Sequence, residues 1–343
     1  MLRIGVLGLS HDHVWDNLNQ LVHLGGAQIV AAADGRSELR ERVRDHGCEL
    51  VLESAEQLLD DVRVDAVYIY SDNRHSAELA VMAAERGIDV MVEKPMAADL
   101  EGALRMQAAA RSAGTLLMVN WPFFWWPSLQ HALKLVAEGF IGTPFQVTYR
   151  AAHAGPAEAG CSPAFVEWLS DPHKNGAGAL MDYCSYGAAL TCLLLGLPAR
   201  VTAVSGRLRK ADLDAEDNAV LLMEHQGAIS QSTASWTQIG HLTSYIPVFY
   251  GDEGTLLVER DGVRLATRQH QDGLRVEVPK PAADLSSSAA FFTAHIRSRD
   301  PIEGLCSAET GVATQHVLEA GLLSSRRRCA VQLPLPADSA VLD

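Results

Sequence analysis

The sequence predicts an α/β chain in two parts: a parallel sheet with helices on both faces, then an α+β part on an open, mostly antiparallel sheet. Three observations predict it. The first 120 residues alternate short apolar, β-rich runs with helical patterns, the signature of parallel strands joined by crossover helices. The alternation breaks after Asn120 at an aromatic, proline-bounded segment, Trp121-Pro122-Phe123-Phe124-Trp125-Trp126-Pro127. Beyond Arg200, strand-like segments follow one another across turns rather than across helices.

In the first part, strand-like runs fall at 3–7, 28–33, 65–70, 88–92 and 116–119, with a weaker one at 49–52. Helical patterns lie between them at 13–24, 38–46, 55–60, 76–86 and 100–113. Right-handed crossovers follow from strand twist. Residues 1–120 are therefore assigned to one domain and 121–343 to a second. The second opens with a helix near 128–138 and a strand at 145–150. Residues 151–178 are rich in Ala, Gly and Pro with little periodicity, a long irregular loop of the kind that covers functional sites. A helix at 179–195 ends at Gly196-Leu197-Pro198. Strands are expected at 201–208, 218–225, 229–236, 245–250 and 255–259, then helices at 289–297 and 307–324 and a strand at 330–333.

Composition bounds the function classes. A chain of 343 residues supports two cores, and 48% hydrophobic with 20% charged residues is globular usage. A formal net charge of -14 carries no basic footprint for nucleic acid. No run is expected to reach the length of a membrane span, and the N-terminus enters a strand without a cationic signal-peptide start. The six cysteines (Cys48, Cys161, Cys184, Cys192, Cys306, Cys329) have no zinc-like spacing and suit a reducing compartment, so a cytoplasmic location is expected.

Two segments carry chemistry. The apolar run 88–92 leads into Glu93-Lys94-Pro95, which places a lysine beyond the carboxyl end of a buried strand, where α/β sheets bind ligands. The first strand leads into Gly8-Leu9-Ser10-His11-Asp12-His13, where a dinucleotide fingerprint has glycines at positions 8, 10 and 13; only Gly8 is kept. The amides at the start of the following helix still favour a pyrophosphate. Asp34 ends the second strand, where a carboxylate accepts from ribose hydroxyls and repels a 2′-phosphate, favouring NAD; Arg36 is placed to pair with that phosphate instead. A metal at His11, Asp12 and His13 is not expected, because neighbours at a helix start converge poorly and no partner cluster is evident.

With Tyr70-Ser71-Asp72-Asn73-Arg74-His75, Gly139-Phe140-Ile141-Gly142, Gly176-Ala177-Gly178-Ala179-Leu180-Met181-Asp182, Glu216-Asp217-Asn218, Gly251-Asp252-Glu253-Gly254-Thr255, Phe291-Phe292-Thr293-Ala294-His295-Ile296 and Leu318-Glu319-Ala320, the chain resembles the Gfo/Idh/MocA oxidoreductases over essentially its whole length. The resemblance implies an N-terminal Rossmann domain holding NAD or NADP and a C-terminal domain whose open sheet builds homodimers or homotetramers. It also implies a cis Lys94-Pro95 bond and hydride transfer at a secondary alcohol or carbonyl of a sugar, polyol or related compound. The implied cofactor residues are Gly8, Ser10, His11, His13, Asp34, Arg36, Ser71, Asn73, His75, Glu93, Lys94 and Asn120.

Many members carry Asp, three residues, then His in the helix after the glycine-rich turn. Here the pair is Asp182 and Tyr186, as in branches similar to glucose–fructose oxidoreductase and dimeric dihydrodiol dehydrogenase. Spacing of i to i+4 puts both on one helix face. Lys94, Asp182 and Tyr186 are the expected catalytic group. Tyr186 is the expected acid/base, its phenol lowered by the Lys94 ammonium, with Asp182 positioning and Glu93 fixing the lysine or supporting the nicotinamide. Expected substrate contacts are Lys94, Trp121, His153, Trp168, Asp182 and Tyr186. His173, Lys174 and His241 are weaker candidates, and Lys174 with Arg150 suits an acidic sugar. The alternatives are redox-neutral, NAD-dependent glycosidase-type chemistry and a non-catalytic NAD(P) sensor.

Overall fold

The structure, a computed structural model, describes residues 1–336. Its first half is the predicted alternation: β1 (Leu2–Leu7), α1 (His13–Leu24), β2 (Ala27–Ala33), α2 (Ser37–Arg44), β3 (Val51–Leu52), α3 (Ala55–Asp61), β4 (Ala66–Ile69), α4 (Asn73–Glu85), β5 (Asp89–Glu93), α5 (Leu100–Ala113) and β6 (Leu117–Asn120). The strands form a six-stranded, all-parallel sheet in the order β3-β2-β1-β4-β5-β6. The order reverses beside β1, and the crevice at such a switch point receives a dinucleotide. β4, β5 and β6 are buried along their whole length, which is why they read as continuous apolar runs. Asp72 and Asp99 cap α4 and α5 through their side chains, and Gly114 ends α5 in the left-handed region.

The second half contains α6 (Pro127–Ala137), β7 (Pro144–Ala152), α7 (Pro163–Leu169), α8 (Pro172–Asn175), α9 (Ser185–Leu195), β8 (Arg200–Gly206), β9 (Asn218–His225), β10 (Ala228–Ser235), β11 (Val248–Gly251), β12 (Gly254–Glu259), β13 (Gly262–Thr267), β14 (Leu274–Val276), α10 (Ser288–Ser298), α11 (Ala308–Arg327) and β15 (Val331–Gln332). These strands make a nine-stranded sheet, β14-β13-β12-β11-β7-β10-β9-β8-β15, antiparallel except where β10 runs parallel to β7. One face of β8, β9 and β10 packs under α9 and α11. The other leaves Val204, Val220, Leu222 and Ile229 exposed.

Four expectations change. The loop at 151–178 is not irregular throughout, because Ser162 and Asp171 cap two short helices, α7 and α8, each with proline in its first turn. β13 and β14 were not expected from the sequence. The helix at 179–195 begins with a π-helical stretch, Leu180–Cys184, before α9. Finally, Pro172–Leu195 is long and apolar enough to cross a membrane by length and composition, but 78% of its most apolar window is buried inside the fold. A core helix under a sheet meets the same compositional test.

The chain also returns to its beginning. α10 packs on α1, α11 packs on α5, and Glu319 accepts the Leu100 amide at 2.7 Å. The two C-terminal helices therefore tie the second half of the chain to the first, with α11 also against β6.

Candidate active site

Lys94 follows the last residue of β5, and its peptide bond to Pro95 is cis. Its ammonium lies 2.5 Å from Asp182 Oδ1 and 3.2 Å from the Asp182 carbonyl. Both side chains are almost wholly buried. A charge pair in such a place needs its remaining polar valences filled. The second carboxylate oxygen, Oδ2, accepts the Trp236 indole N–H at 3.1 Å. Trp236 is aligned from below: its backbone amide donates to the Asp217 carbonyl at 2.8 Å. The Asp217 carboxylate in turn accepts the amides of Leu208, Arg209 and Lys210, while the Glu216 carboxylate accepts those of Gly178 and Leu180 at the entry to the π-helical stretch. The Glu216-Asp217-Asn218 motif thus holds the turn that presents Asp182.

The π-helical stretch decides which side chains share the cavity. A regular helix would group Asp182 with Tyr186; the wider turn brings Tyr183 to the same space as well. A cavity of about 240 Å³ is lined by Lys94, Asp182, Tyr183, Tyr186, His153 and Tyr245, with His13, Phe123 and Trp126 among its other walls. The Tyr245 hydroxyl donates to that of Tyr183 at 2.7 Å. His153 Nδ1 accepts the Gly155 amide at 2.8 Å, so its neutral ring carries the proton on Nε2; burial lowers its pKa. Tyr183, Tyr245 and Trp236 are absent from the sequence-level site. Each arrives through tertiary packing, and only the proximity of Tyr183 to Asp182 was visible beforehand.

Tyr186 behaves differently from expectation. Burial, reinforced by the Asp182 carboxylate, pushes its phenol well above the ordinary value. Lys94 does not reverse this, because its Nζ sits 4.9 Å from the ring centroid, over the π face, and is neutralised by Asp182. Tyr186 is therefore a neutral hydroxyl. Glu93 does not fix the lysine either. Its carboxylate faces away, accepting Asn120 Nδ2 at 2.5 Å and Asn17 Nδ2 at 3.3 Å on one oxygen, with His13 Nδ1 3.1 Å from the other. Asn120 also accepts the Trp125 indole N–H at 2.8 Å.

The second cleft, about 230 Å³, lies over the carboxyl ends of β1, β2 and β4. Gly8, Ser10, Asp34, Arg36, Ser71 and His75 line it. Asp34 is braced at its rim by the amides of Leu9 and Arg36, each at 2.7 Å. Gly8 has φ +72, and a Cβ there would come within 2.9 Å of the Ser71 amide nitrogen. Two loops thus approach backbone to backbone beside the switch point, and with α1 opening nearby and a carboxylate ending β2, the cleft fits an adenine dinucleotide. Arg36 is not free for a phosphate: its guanidinium bonds Glu167 at 3.0 Å.

Several expected contacts fall elsewhere. His11 is buried against Phe165 and Trp168 and does not reach the cleft; burial lowers its pKa well below the ordinary value. Asn73 turns to Asn175, tying α4 to α8, and Asn120 is enclosed around Glu93. His13 lines the substrate-sized cavity instead of the nucleotide cleft. Trp121 is fully buried, edge-on to Tyr186, so it supports the wall rather than forming it. Trp168 faces the nucleotide cleft, with its indole N–H on the Ser10 carbonyl at 3.2 Å. Lys174 joins it there, and Arg150 is engaged by Gln238, so neither addresses an acidic sugar. Side chains at the helix start do converge with a partner from β5: His11, His13 and Glu93 bring one ligand atom each within 4.8 Å of one another.

Comparison with known proteins agrees with this arrangement. Residues 2–121 match the family described as "Oxidoreductase family, NAD-binding Rossmann fold", and residues 129–257 match the "GFO/IDH/MocA C-terminal domain". The chain is 27% identical to the D-apiose dehydrogenase of Paraburkholderia graminis, covering 97% of this chain and 88% of the relative. It is 28% identical to the 1,5-anhydro-D-fructose reductase of Ensifer adhaerens, covering 91% and 95%. A levoglucosan dehydrogenase solved with NADH and levoglucosan superimposes with a TM-score of 0.83 at 21% identity, over 97% of this chain and all of that one, and shows the shared fold. With both of its domains matched, the chain belongs to the Gfo/Idh/MocA family of oxidoreductases and carries that family's NAD-binding Rossmann domain.

Proposed function

We propose that the protein oxidises or reduces a secondary alcohol or carbonyl of a sugar, polyol or related compound, with NAD as the preferred nicotinamide. The observation that carries the reading is the buried Lys94–Asp182 pair, which faces a cavity of sugar size beside the dinucleotide cleft. The names of the two curated relatives, a D-apiose dehydrogenase and a 1,5-anhydro-D-fructose reductase, support the substrate class.

The residues divide the work by chemistry. Gly8, Ser10, Asp34, Ser71 and His75 would hold the cofactor, and Asp34 supports NAD over NADP. The bound nicotinamide supplies the hydride acceptor or donor. Lys94, oriented by Asp182, donates a hydrogen bond to the reacting oxygen and opposes the negative charge that develops there. Tyr186, kept protonated by its surroundings, is a neutral donor to the same oxygen or its neighbour. His153, with its proton on Nε2, and the Tyr183–Tyr245 hydroxyl pair supply hydroxyl-recognising groups, while Phe123 and Trp126 offer apolar area to a sugar ring face.

We place the protein in the cytoplasm as a homo-oligomer. Six free cysteines support the first, and the exposed apolar face carrying Val204, Val220, Leu222 and Ile229 supports the second. The test of the main reading follows nicotinamide absorbance with NAD or NADP across a panel of sugars, inositols and sugar acids. Substrate-dependent net reduction supports a dehydrogenase. Glycoside cleavage without net cofactor change would point to redox-neutral chemistry, and tight cofactor binding with neither would point to a sensor.

A further inference from the structure

The cavity has an imidazole wall that these roles leave unused. His13 stands where a dinucleotide turn has its third glycine, opens α1 and lines the cavity with Lys94, Asp182 and Tyr186. Its Nδ1 is 3.1 Å from Glu93 Oε2. Glu93 is buried, and its other oxygen is held by Asn120 and Asn17, the latter anchored by Ser288 of α10 at 2.6 Å. A carboxylate fixed in this way places the neutral ring's proton on Nδ1 and leaves Nε2 as a lone-pair acceptor. Among the described residues no hydrogen bond engages His13 Nε2. The neighbouring His11 ring, 4.5 Å away between centroids, limits the plane the imidazole adopts.

We propose that His13 is the general base of the oxidation, with Glu93 as its orienting carboxylate. The inference rests on the hydride-transfer reading above and supplies the proton acceptor that a buried, protonated Tyr186 does not. In the step, the substrate O–H bond breaks and its proton moves to His13 Nε2. The electron pair left on oxygen forms the carbonyl π bond as the carbinol carbon releases its hydride to oxidised nicotinamide. The alcohol would give up two electrons to the bound nicotinamide, and the imidazolium, beside Glu93, returns its proton to solvent. Reduction runs the same transfer backward, with His13 as acid.

The charges around His13 are mixed. Glu93 from β5, and Lys94 and Asp182 across the cavity, are the charged groups nearest its ring. His11 and His153 are the neighbouring imidazoles, and Tyr183 and Tyr186 the facing phenols. β2 turns Asp34 to the Leu9 amide, Asp12 accepts the Ser162 amide, and α7 turns Glu167 to Arg36. α10 meets α1 through neutral Ser288, with Arg297 at the far end on Gly26.

The test compares the pH dependence of oxidative kcat/KM for wild type, His13→Gln and Glu93→Gln, after NAD binding is verified for each. His13→Gln is expected to lose the acidic limb of the profile and on the order of 100-fold in rate. Glu93→Gln is expected to keep the limb and to lower the rate, because the carboxylate that fixes the ring's tautomer is gone. Nitrogen NMR of the histidine-labelled wild-type protein is expected to show a neutral His13 with its proton on Nδ1, whichever variants fold. A limb retained in an active His13→Gln, a neutral proton on Nε2, or activity abolished by chelation and restored by a divalent cation would overturn the proposal. Wild type that oxidises no alcohol with either cofactor overturns the hydride-transfer reading, and the proposal with it, even where the NMR tautomer is the expected one.

Discussion

Trp236 donates its indole N–H to the Asp182 oxygen that Lys94 does not use, so the carboxylate is held from two sides, at 2.5 Å and 3.1 Å. Trp236→Phe keeps the packing and removes one donor. A buried acceptor left unsatisfied costs about 1–3 kcal/mol. The expected outcome is a loss of stability of that size in urea unfolding, with kcat falling more than KM rises, because the Lys94 ammonium loses its fixed direction. An unchanged kcat would mean that Lys94 alone orients Asp182.

Gly8 tests the cofactor cleft. At φ +72, with the Ser71 backbone where a Cβ would go, alanine strains the turn and pushes two loops apart. Gly8→Ala is expected to lower the melting temperature and to weaken NAD binding, measured by calorimetry, more than it changes the KM of the second substrate.

Glu167 sets how the adenosine end treats a 2′-phosphate. It bonds Arg36 at 3.0 Å and lies 3.5 Å from Lys174, neutralising two cations that line the cleft near Asp34. Exposed pairs of this kind are worth up to about 1 kcal/mol each. Glu167→Gln is expected to raise the ratio of NADP to NAD kcat/KM by a few fold, and adding Arg36→Ala should erase that gain.

Acid stability should depend on Asp217. Burial opposes its ionisation, but Leu208, Arg209 and Lys210 amides and the Asn218 side chain outweigh it and hold the pKa at about 2. A folded value below the unfolded one means that the stabilisation is complete above the ordinary carboxylate range and is lost as pH falls toward about 2. It amounts to about 2 kcal/mol. Asp217→Asn is expected to lower the melting temperature at neutral pH and to flatten its dependence on pH between about 4 and 2, where the wild-type curve falls.

The parallel sheet was legible because its strands are buried on both faces and its helices are amphipathic, so each element announces itself within a few residues. Lys94 was legible for the same reason: it follows the apolar run of β5. Asp182 was found by motif, but Tyr183 was not, because the entry to the π-helical stretch is held by the carboxylate of Glu216, from the distant turn before β9, and leaves no local periodicity. The aromatic segment at 121–127 shows the limit of composition. Trp121 and Trp126 are alike as residues, yet β6 buries the first under Tyr186 while the second turns to the cavity. Trp168 and Lys174 were misassigned for a similar reason, since the capped helices α7 and α8 carry them over the nucleotide cleft. The role of His13 depends on its meeting Glu93, 80 residues away.

The central claim is that Lys94 acts on the reacting oxygen. The most direct measurement is a single-turnover rate of nicotinamide reduction in Lys94→Ala and Lys94→Arg, each saturated with cofactor. The arginine variant keeps a cation beside Asp182, so it separates chemistry from the instability of an unpaired buried carboxylate. The account predicts retained cofactor binding with the rate reduced on the order of 100-fold or more in both. Reduction at the wild-type rate in either variant would contradict it.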